Sequence, residues 1–86
     1  MHAHLITVDI DDPDEAVNGL SELIPTLKAS PGFVAGYWVR LAEGQGASLT
    51  VFENEEQARA TAPPVGTVGG GVTVTAVQFG EVLASA

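Results

Sequence analysis

The fold is decided by the stretch Phe33-Val34-Ala35-Gly36-Tyr37-Trp38-Val39-Arg40-Leu41, then Glu43-Gly44-Gln45-Gly46, then Ala47-Ser48-Leu49-Thr50-Val51-Phe52-Glu53. Two runs rich in β-branched and aromatic residues flank a short segment with two glycines. That pattern predicts a β-hairpin, because aromatic and β-branched side chains suit a pleated strand and glycine suits the turn.

A strand and a helix precede this hairpin. Residues 3–10 are mostly aliphatic and β-branched, so they predict a first strand. Asp12 followed by Pro13 is typical of a helix start, and the apolar residues of 16–27 recur at helical spacing. The sequence Ser30-Pro31-Gly32 predicts the end of this helix.

A short helix and a last strand follow the hairpin. Asn54 is a suitable cap for a helix that reaches Thr61, and Pro63-Pro64 ends it. Residues 65–71 contain four glycines and predict a flexible loop, and residues 72–82 predict a strand. The order β-α-β-β-α-β predicts one ferredoxin-like α+β domain over 1–86, with a four-stranded antiparallel sheet and two helices on one face.

The composition excludes several classes of function. The chain has 86 residues, no cysteine, three basic and eleven acidic residues, and a formal net charge of −8. Disulfides and thiolate metal sites are therefore excluded, and nucleic acids and anionic membranes are not expected partners, because both bind clustered basic residues. The N-terminus lacks the pattern of a signal peptide, so we expect a cytoplasmic protein.

Both faces of the predicted sheet are apolar. Alternation along the strands predicts one set for the face beneath the helices: Ile6, Val8, Tyr37, Val39, Leu49, Val51, Val72 and Val74. It predicts a second set for the other face: Leu5, Thr7, Val34, Trp38, Thr50, Phe52, Thr75, Val77 and Phe79. No helix remains to cover the second face.

The uncovered face predicts a homodimer. A chain of this size buries only about 60–65% of the surface that its unfolded form exposes, so its stability is small. Oligomerisation is the remedy left when cysteine is absent. We expect Trp38, Phe52 and Phe79 at the centre of the interface, because together they form a large apolar patch.

The chain resembles the dimeric α+β barrel superfamily, and within it the antibiotic-biosynthesis-monooxygenase-like domains. The resemblance rests on the element order, on Ser-Pro-Gly-Phe-Val-Ala-Gly-Tyr-Trp at 30–38, on Ala-Ser-Leu-Thr-Val-Phe at 47–52 leading into Glu-Asn-Glu-Glu-Gln-Ala at 53–58, and on Phe-Gly-Glu-Val at 79–82. In that superfamily two sheets pack face to face with the helices outside.

The resemblance implies a small-molecule-handling homodimer. Characterised members include cofactor-free oxygenases of aromatic polyketides, haem-degrading enzymes and isomerases. Haem-degrading relatives have a histidine on the second helix, and residues 54–61 here contain none, so no cofactor is expected. The alternatives are a non-catalytic small-ligand-binding module and a purely structural dimer of the same fold.

Tyr37, Trp38, Arg40 and His4 are the candidate ligand-binding residues. Trp38 could stack on a small aromatic ligand and Arg40 could hold an anionic oxygen. The same two residues also suit a dimer interface, and alternation places Tyr37 and Trp38 on opposite faces. No residue is assigned a catalytic role.

Three further patterns predict no site of their own. His2 and His4 could chelate a metal only with a third ligand, so His4 is instead a possible general base, or a satisfied terminal histidine. The acids at 9–14 fit helix capping better than a calcium loop. The glycines at 66–71 follow a helix and precede a strand, the reverse of a phosphate-binding loop. No metal is expected.

Overall fold

Five antiparallel strands and two helices make up the computed structural model, which describes residues 1–86. The elements are β1 His2–Ile10, α1 Pro13–Lys28, β2 Phe33–Arg40, β3 Gln45–Phe52, α2 Glu55–Thr61, β4 Val68–Gly69 and β5 Val72–Glu81. The α+β class is therefore confirmed. The strand order β2-β3-β1-β5-β4 places the last long strand beside the first, which is compatible with a ferredoxin-like arrangement.

The sheet has five strands, whereas the sequence predicts four. The additional strand, β4, lies within the segment predicted to be a flexible loop and pairs Val68 with Thr73 and Gly69 with Val72. Gly70 and Gly71 make the intervening turn, with φ of 57° and 75°, a region of backbone conformation that favours glycine. A two-residue strand has no detectable periodicity, so the sequence pattern showed only the glycines.

The start of α1 is confirmed at Pro13. One carboxylate oxygen of Asp12 accepts hydrogen bonds of 3.1 Å from the backbone N–H groups of Asp14 and Glu15. This side chain satisfies two of the N–H groups that every helix start leaves without partners. The backbone N–H groups of Asp11 and Asp12 also bond to the carbonyl of Gly71, which ties this end of α1 to the β4–β5 turn.

A reciprocal cap fixes α2. Gln57 N–H donates to the Asn54 side chain at 2.9 Å, and Asn54 N–H donates to the Gln57 side chain at 3.3 Å. The Gln57 amide lies against Gly32, where a Cβ atom would fall 1.8 Å from Gln57 Oε1. Gly32 also has φ of 76°, so glycine is required where β2 meets α2.

Strand register shows which face of the sheet α2 covers. His4 marks this face, because its Nε2 atom lies 3.2 Å from the Thr61 hydroxyl of α2. Residues directly opposite each other on neighbouring antiparallel strands share a face. The helix-covered face therefore carries His2, His4, Ile6, Val8, Phe33, Gly36, Trp38, Arg40, Gly46, Ser48, Thr50, Phe52, Val72, Val74, Val77, Phe79 and Glu81.

The opposite face, which we call the open face, leaves Leu5, Tyr37, Val39 and Leu49 exposed, so neither helix packs on them. It carries Ala3, Leu5, Thr7, Ala35, Tyr37, Val39, Ala47, Leu49, Val51, Ala76, Gln78 and Gly80, with Asp9, Gln45 and Thr73 at one end. Relative to the predicted sets, β1 and the first half of β5 lie as expected. The assignments of β2, β3 and the second half of β5 are reversed.

The reversal has a physical reason. Alternation shows which residues of one strand share a face. In β2 and β3, however, both the odd-numbered and the even-numbered positions include apolar residues, so alternation does not show which set faces the helices. Register shifts occur between Thr7 and Val8 and between Phe33 and Ala35. Each shift changes which residues of one strand lie on the same face as those of its neighbour. These bulges are not visible in the sequence pattern.

The predicted placement of Trp38, Phe52 and Phe79 on the uncovered face is accordingly wrong. All three lie on the helix-covered face, and Phe52 is 0% exposed within a single chain. Phe52 packs with Phe33 and His4 as the largest fully buried side chain of the core. Neither α1 nor α2 is long and apolar enough to cross a membrane.

Candidate functional site

The four predicted ligand-binding residues lie on two different faces. Tyr37 is on the open face and is 63% exposed, whereas His4, Trp38 and Arg40 are on the helix-covered face. The sheet itself therefore separates Tyr37 from the other three, and one pocket in a single chain cannot contain all of them.

His4 is the most enclosed of these candidates. It is only 2% exposed, and its Nε2 atom lies 3.2 Å from the Thr61 hydroxyl. The His4 ring centre lies 5.6 Å from that of Phe52, which in turn meets Phe33 edge to face at 6.0 Å. The imidazole is thus held between the sheet and α2, with aromatic rings beside it.

Gly36 leaves space for the Trp38 indole in the row of the sheet that contains His4. A Cβ atom at Gly36 would lie 2.5 Å from Trp38 Cη2, so the indole ring occupies the space above Gly36. Gly36 pairs with Thr50 on β3, and Thr50 pairs with His4 on β1. The indole, the Thr50 hydroxyl and the His4 imidazole therefore share one row across the sheet.

Arg40 is not part of this cluster. It pairs with Gly46, which pairs with Val8, four residues along β1 from His4. Four residues of strand span about 13 Å, and Arg40 is exposed. An anionic group held by Arg40 would lie at the other end of the sheet from His4.

Burial controls the protonation of His4. Desolvation between the sheet and α2 disfavours the charged imidazolium, and this lowers the pKa of His4 below its ordinary value of 6.5. His4 is consequently a neutral imidazole at neutral pH, able to donate one hydrogen bond and accept one.

Three buried polar atoms on this face have no hydrogen-bond partner: His4 Nδ1, Thr50 Oγ1 and His2 Nδ1. Such atoms are uncommon in folded proteins, and each unsatisfied group costs about 1–3 kcal/mol. Two of the three belong to a directly opposed pair, because His4 and Thr50 face each other on β1 and β3. Two of the three atoms without a hydrogen-bond partner therefore belong to neighbouring side chains.

Two clefts flank α2. One, of about 190 Å³, lies on the β5 side and is bordered by His2, Ala58, Arg59 and Phe79; the other, of about 310 Å³, lies between Pro31, Gln57 and Thr61. Arg59 borders the first cleft with its guanidinium 4.3 Å from the Phe79 ring centre and its Nε 2.9 Å from Glu55. Trp38, Tyr37 and Arg40 border neither cleft.

Two residues of the cluster were missed by sequence reasoning. Thr50 looked like a polar residue of an amphipathic strand, and Thr61 looked like the end of a short helix. Neither has a motif around it, and only the β1–β3 register and the packing of α2 bring them to His4.

No group of three or more His, Asp or Glu side chains is arranged to hold a metal ion. A scan against protein-family models gave no match, and a search of curated proteins gave none either. The resemblance to monooxygenase-like domains therefore rests on the quoted residues, and the α+β fold is compatible with it.

Proposed function

We propose that this protein is a homodimer of the monooxygenase-like class that handles a small aromatic molecule without a cofactor. The observation that carries the proposal is the open face of the sheet, which is largely apolar and uncovered, with Asp9 as its one charged side chain at one end. The partner is a second copy of the chain, stacked on this face, which leaves the helices of both copies on the outside.

The open face is unusual for such an acidic chain. Across β2, β3, β1 and β5 it presents three rows of side chains with no charge: Ala35, Val51, Ala3 and Gly80; Tyr37, Leu49, Leu5 and Gln78; Val39, Ala47, Thr7 and Ala76. Of the acidic side chains, only Asp9 lies on this face, at one end and outside the three rows. Two copies that meet over these rows bring no carboxylate between them.

The exposed area of the chain supports the same partner. A monomeric protein of 8.8 kDa exposes about 4,800 Å², whereas this chain exposes 5465 Å². The excess, about 700 Å², is close to the roughly 800 Å² that each partner buries in a standard interface.

The helix-covered face supports the handling of a small molecule. It combines a neutral buried imidazole with the rings of Phe33, Phe52 and Trp38. Small-molecule sites are mostly apolar and contain a few polar groups that orient the ligand.

A non-catalytic binding module is the second candidate. The two clefts beside α2, at about 190 and 310 Å³, are at or below the lower end of ligand pockets, and His4 is not open to solvent. Oxygen uptake with a hydroquinone separates the two candidates. An oxygenase consumes oxygen in proportion to substrate and loses this activity in Trp38→Phe and His4→Gln, whereas a binder shows no substrate-dependent uptake.

The dimer is tested by Leu49→Asp. Leu49 lies in the middle row of the open face, between Leu5 and Tyr37, so a buried carboxylate there should abolish pairing. We expect sedimentation at micromolar concentration to give twice the chain mass for the wild type and the mass of one chain for this variant, with helix and strand content unchanged.

Val17→Asp is the matched control. Val17 is an apolar residue of α1 that is 64% exposed, and the substitution adds the same charge away from the open face. It should leave the dimer intact. A monomeric wild type, or a Leu49→Asp variant that remains dimeric, would show that the open face does not bind a second copy.

A further inference from the structure

The polar atoms beneath α2 form an incomplete hydrogen-bond network. His4 Nε2 has the Thr61 hydroxyl as its partner, but His4 Nδ1 and Thr50 Oγ1 have none. Both residues are almost completely buried, at 2% and 1% exposure, so bulk water does not satisfy them.

The contacts of the Thr61 hydroxyl bear on which nitrogen of His4 carries the proton. The Thr61 hydroxyl lies 3.3 Å from the carbonyl oxygens of both Gln57 and Ala58 and 3.2 Å from His4 Nε2. A hydroxyl has one hydrogen to donate, and the carbonyl oxygens can only accept it. When the hydroxyl donates to one of these carbonyls, its oxygen accepts from His4 Nε2–H, and the neutral ring then has a free lone pair on Nδ1. The site proposed below uses this tautomer.

This tautomer restricts the chemistry of a ligand. The free Nδ1 atom requires a donor, whereas the Thr50 hydroxyl can donate or accept. A hydroxyl group satisfies both at once, since it can donate to Nδ1 and accept from Thr50. A carboxylate has no proton for Nδ1, and an ammonium group would bring an unpaired charge into a buried site.

The surroundings restrict the rest of the ligand. Phe52 lies beside the His4 ring, Phe33 lies beside Phe52, and the Trp38 indole occupies the space above Gly36, which is next to Thr50. These rings suit a flat, apolar body, because aromatic faces and edges pack well against planar groups.

We propose that His4 Nδ1 and Thr50 Oγ1 form a binding site for the hydroxyl group of a small, uncharged aromatic molecule. The inference deepens the proposed function and rests on it, because it names the groups that hold the ligand.

The site lies beneath α2 and is reached when that helix moves. α2 has seven residues, contributes Ala58 as its one fully buried side chain, and has a cleft on either side. A helix this short is not stable on its own and depends on its cap and its packing.

The test follows the two ring nitrogens of His4 by NMR in protein with ¹⁵N-labelled histidine, titrated with phenol. We expect the free protein to show His4 protonated at Nε2, and phenol to shift the His4 Nδ1 resonance. Anisole, which has the same ring but no proton to donate, should bind at least ten-fold more weakly.

Thr50→Val and Ser48→Ala form a matched pair of variants. Thr50→Val keeps the branched shape but removes the hydroxyl, and should weaken phenol binding at least ten-fold. Ser48→Ala removes a hydroxyl from the same strand face, opposite Ile6 instead of His4, and should leave phenol binding unchanged. The expected tautomer should persist in both variants.

Several results would overturn the inference. These are a His4 ring protonated at Nδ1, equal affinities for phenol and anisole, equal effects of the two variants, or an ordered water on Nδ1 that phenol does not displace. Phenol that binds without a shift at His4 would contradict this site and leave the proposed function standing. Sedimentation of the same samples reports the dimer separately.

Discussion

The two faces of the sheet are both apolar, yet they differ in what completes them. The helix-covered face carries the large aromatic rings and two α-helices, and buries Phe52 completely within one chain. The open face carries smaller aliphatic residues and Tyr37, with a single charged residue, Asp9, at one end and without a helix. The difference shows that apolar character alone does not identify the core of a small domain.

The polar residues of the two faces differ as well. His4 and Thr50 are buried on the helix-covered face with unused hydrogen-bonding atoms, whereas Thr7 and Gln78 on the open face remain in contact with solvent. The unsatisfied atoms of the packed layer underlie the proposed ligand site, and the apolar side chains of the uncovered layer underlie the proposed dimer.

The largest difference between the faces should appear on truncation of an aromatic residue. We expect Phe52→Ala to lower the free energy of unfolding by about 3–5 kcal/mol, because a fully buried ring is lost and a cavity remains. Tyr37→Ala should change it by less than about 1 kcal/mol, since the ring is mostly exposed in one chain. Urea denaturation measures both.

Both substitutions are made in the monomeric Leu49→Asp background, so that dimer contacts of Tyr37 do not contribute. If Tyr37→Ala were as destabilising as Phe52→Ala, the assignment of the two faces would have to be exchanged.

A smaller effect is expected where a side chain is added. Gly36→Ala places a methyl group 2.5 Å from the Trp38 ring, so the indole must move. We expect a loss of about 1–3 kcal/mol in unfolding free energy, as for other overpacked sites. Trp38 is the only tryptophan, so its fluorescence emission should also shift.

Gly80→Ala provides the comparison on the open face. A Cβ atom at Gly80 meets nothing within 4 Å, so this variant should keep the emission of the wild type. An unchanged spectrum in Gly36→Ala would mean that the indole does not occupy the space above Gly36.

The smallest effect is the dependence of stability on pH. The pKa of His4 is lower in the folded chain than its ordinary value of 6.5, so the unfolded chain binds the proton more readily. Stability due to neutral His4 is therefore complete above pH 6.5 and is lost as the pH falls towards the folded pKa. Unfolding free energies at pH 7.5 and 5.5 should show this decrease.

In His4→Gln the decrease between these two pH values should be smaller than in the wild type, because the titrating group is absent. Identical pH profiles for the two proteins would show that His4 is protonated equally in the folded and unfolded chains.

The sequence was sufficient to predict the helices and the long strands, but not which face of the sheet each residue of β2 and β3 lies on. Asp12 and Asn54 predicted both helix starts, because a cap acts within three residues along the chain. The faces of β2 and β3 could not be predicted, since pairing between distant strands and two register shifts decide them. The β4 strand was hidden within a glycine-rich segment.

The candidate site divides in the same way. His4 could be proposed from its titrating side chain alone, and Trp38 from its ring. Their link through Gly36 and Thr50 depends on a register that no local pattern encodes. Tyr37 and Arg40 were chosen for being close to Trp38 in sequence, but strand geometry places them away from His4.

The open face has a consequence for how much folded protein exists at a given amount of chain. If a second copy binds only the folded chain, association draws the folding equilibrium forward by mass action. Only ten of the 86 residues are buried in one chain, so we expect the isolated chain to have a small free energy of unfolding. Dilution would then weaken the fold itself, and the level at which the chain is produced would set the fraction that is folded.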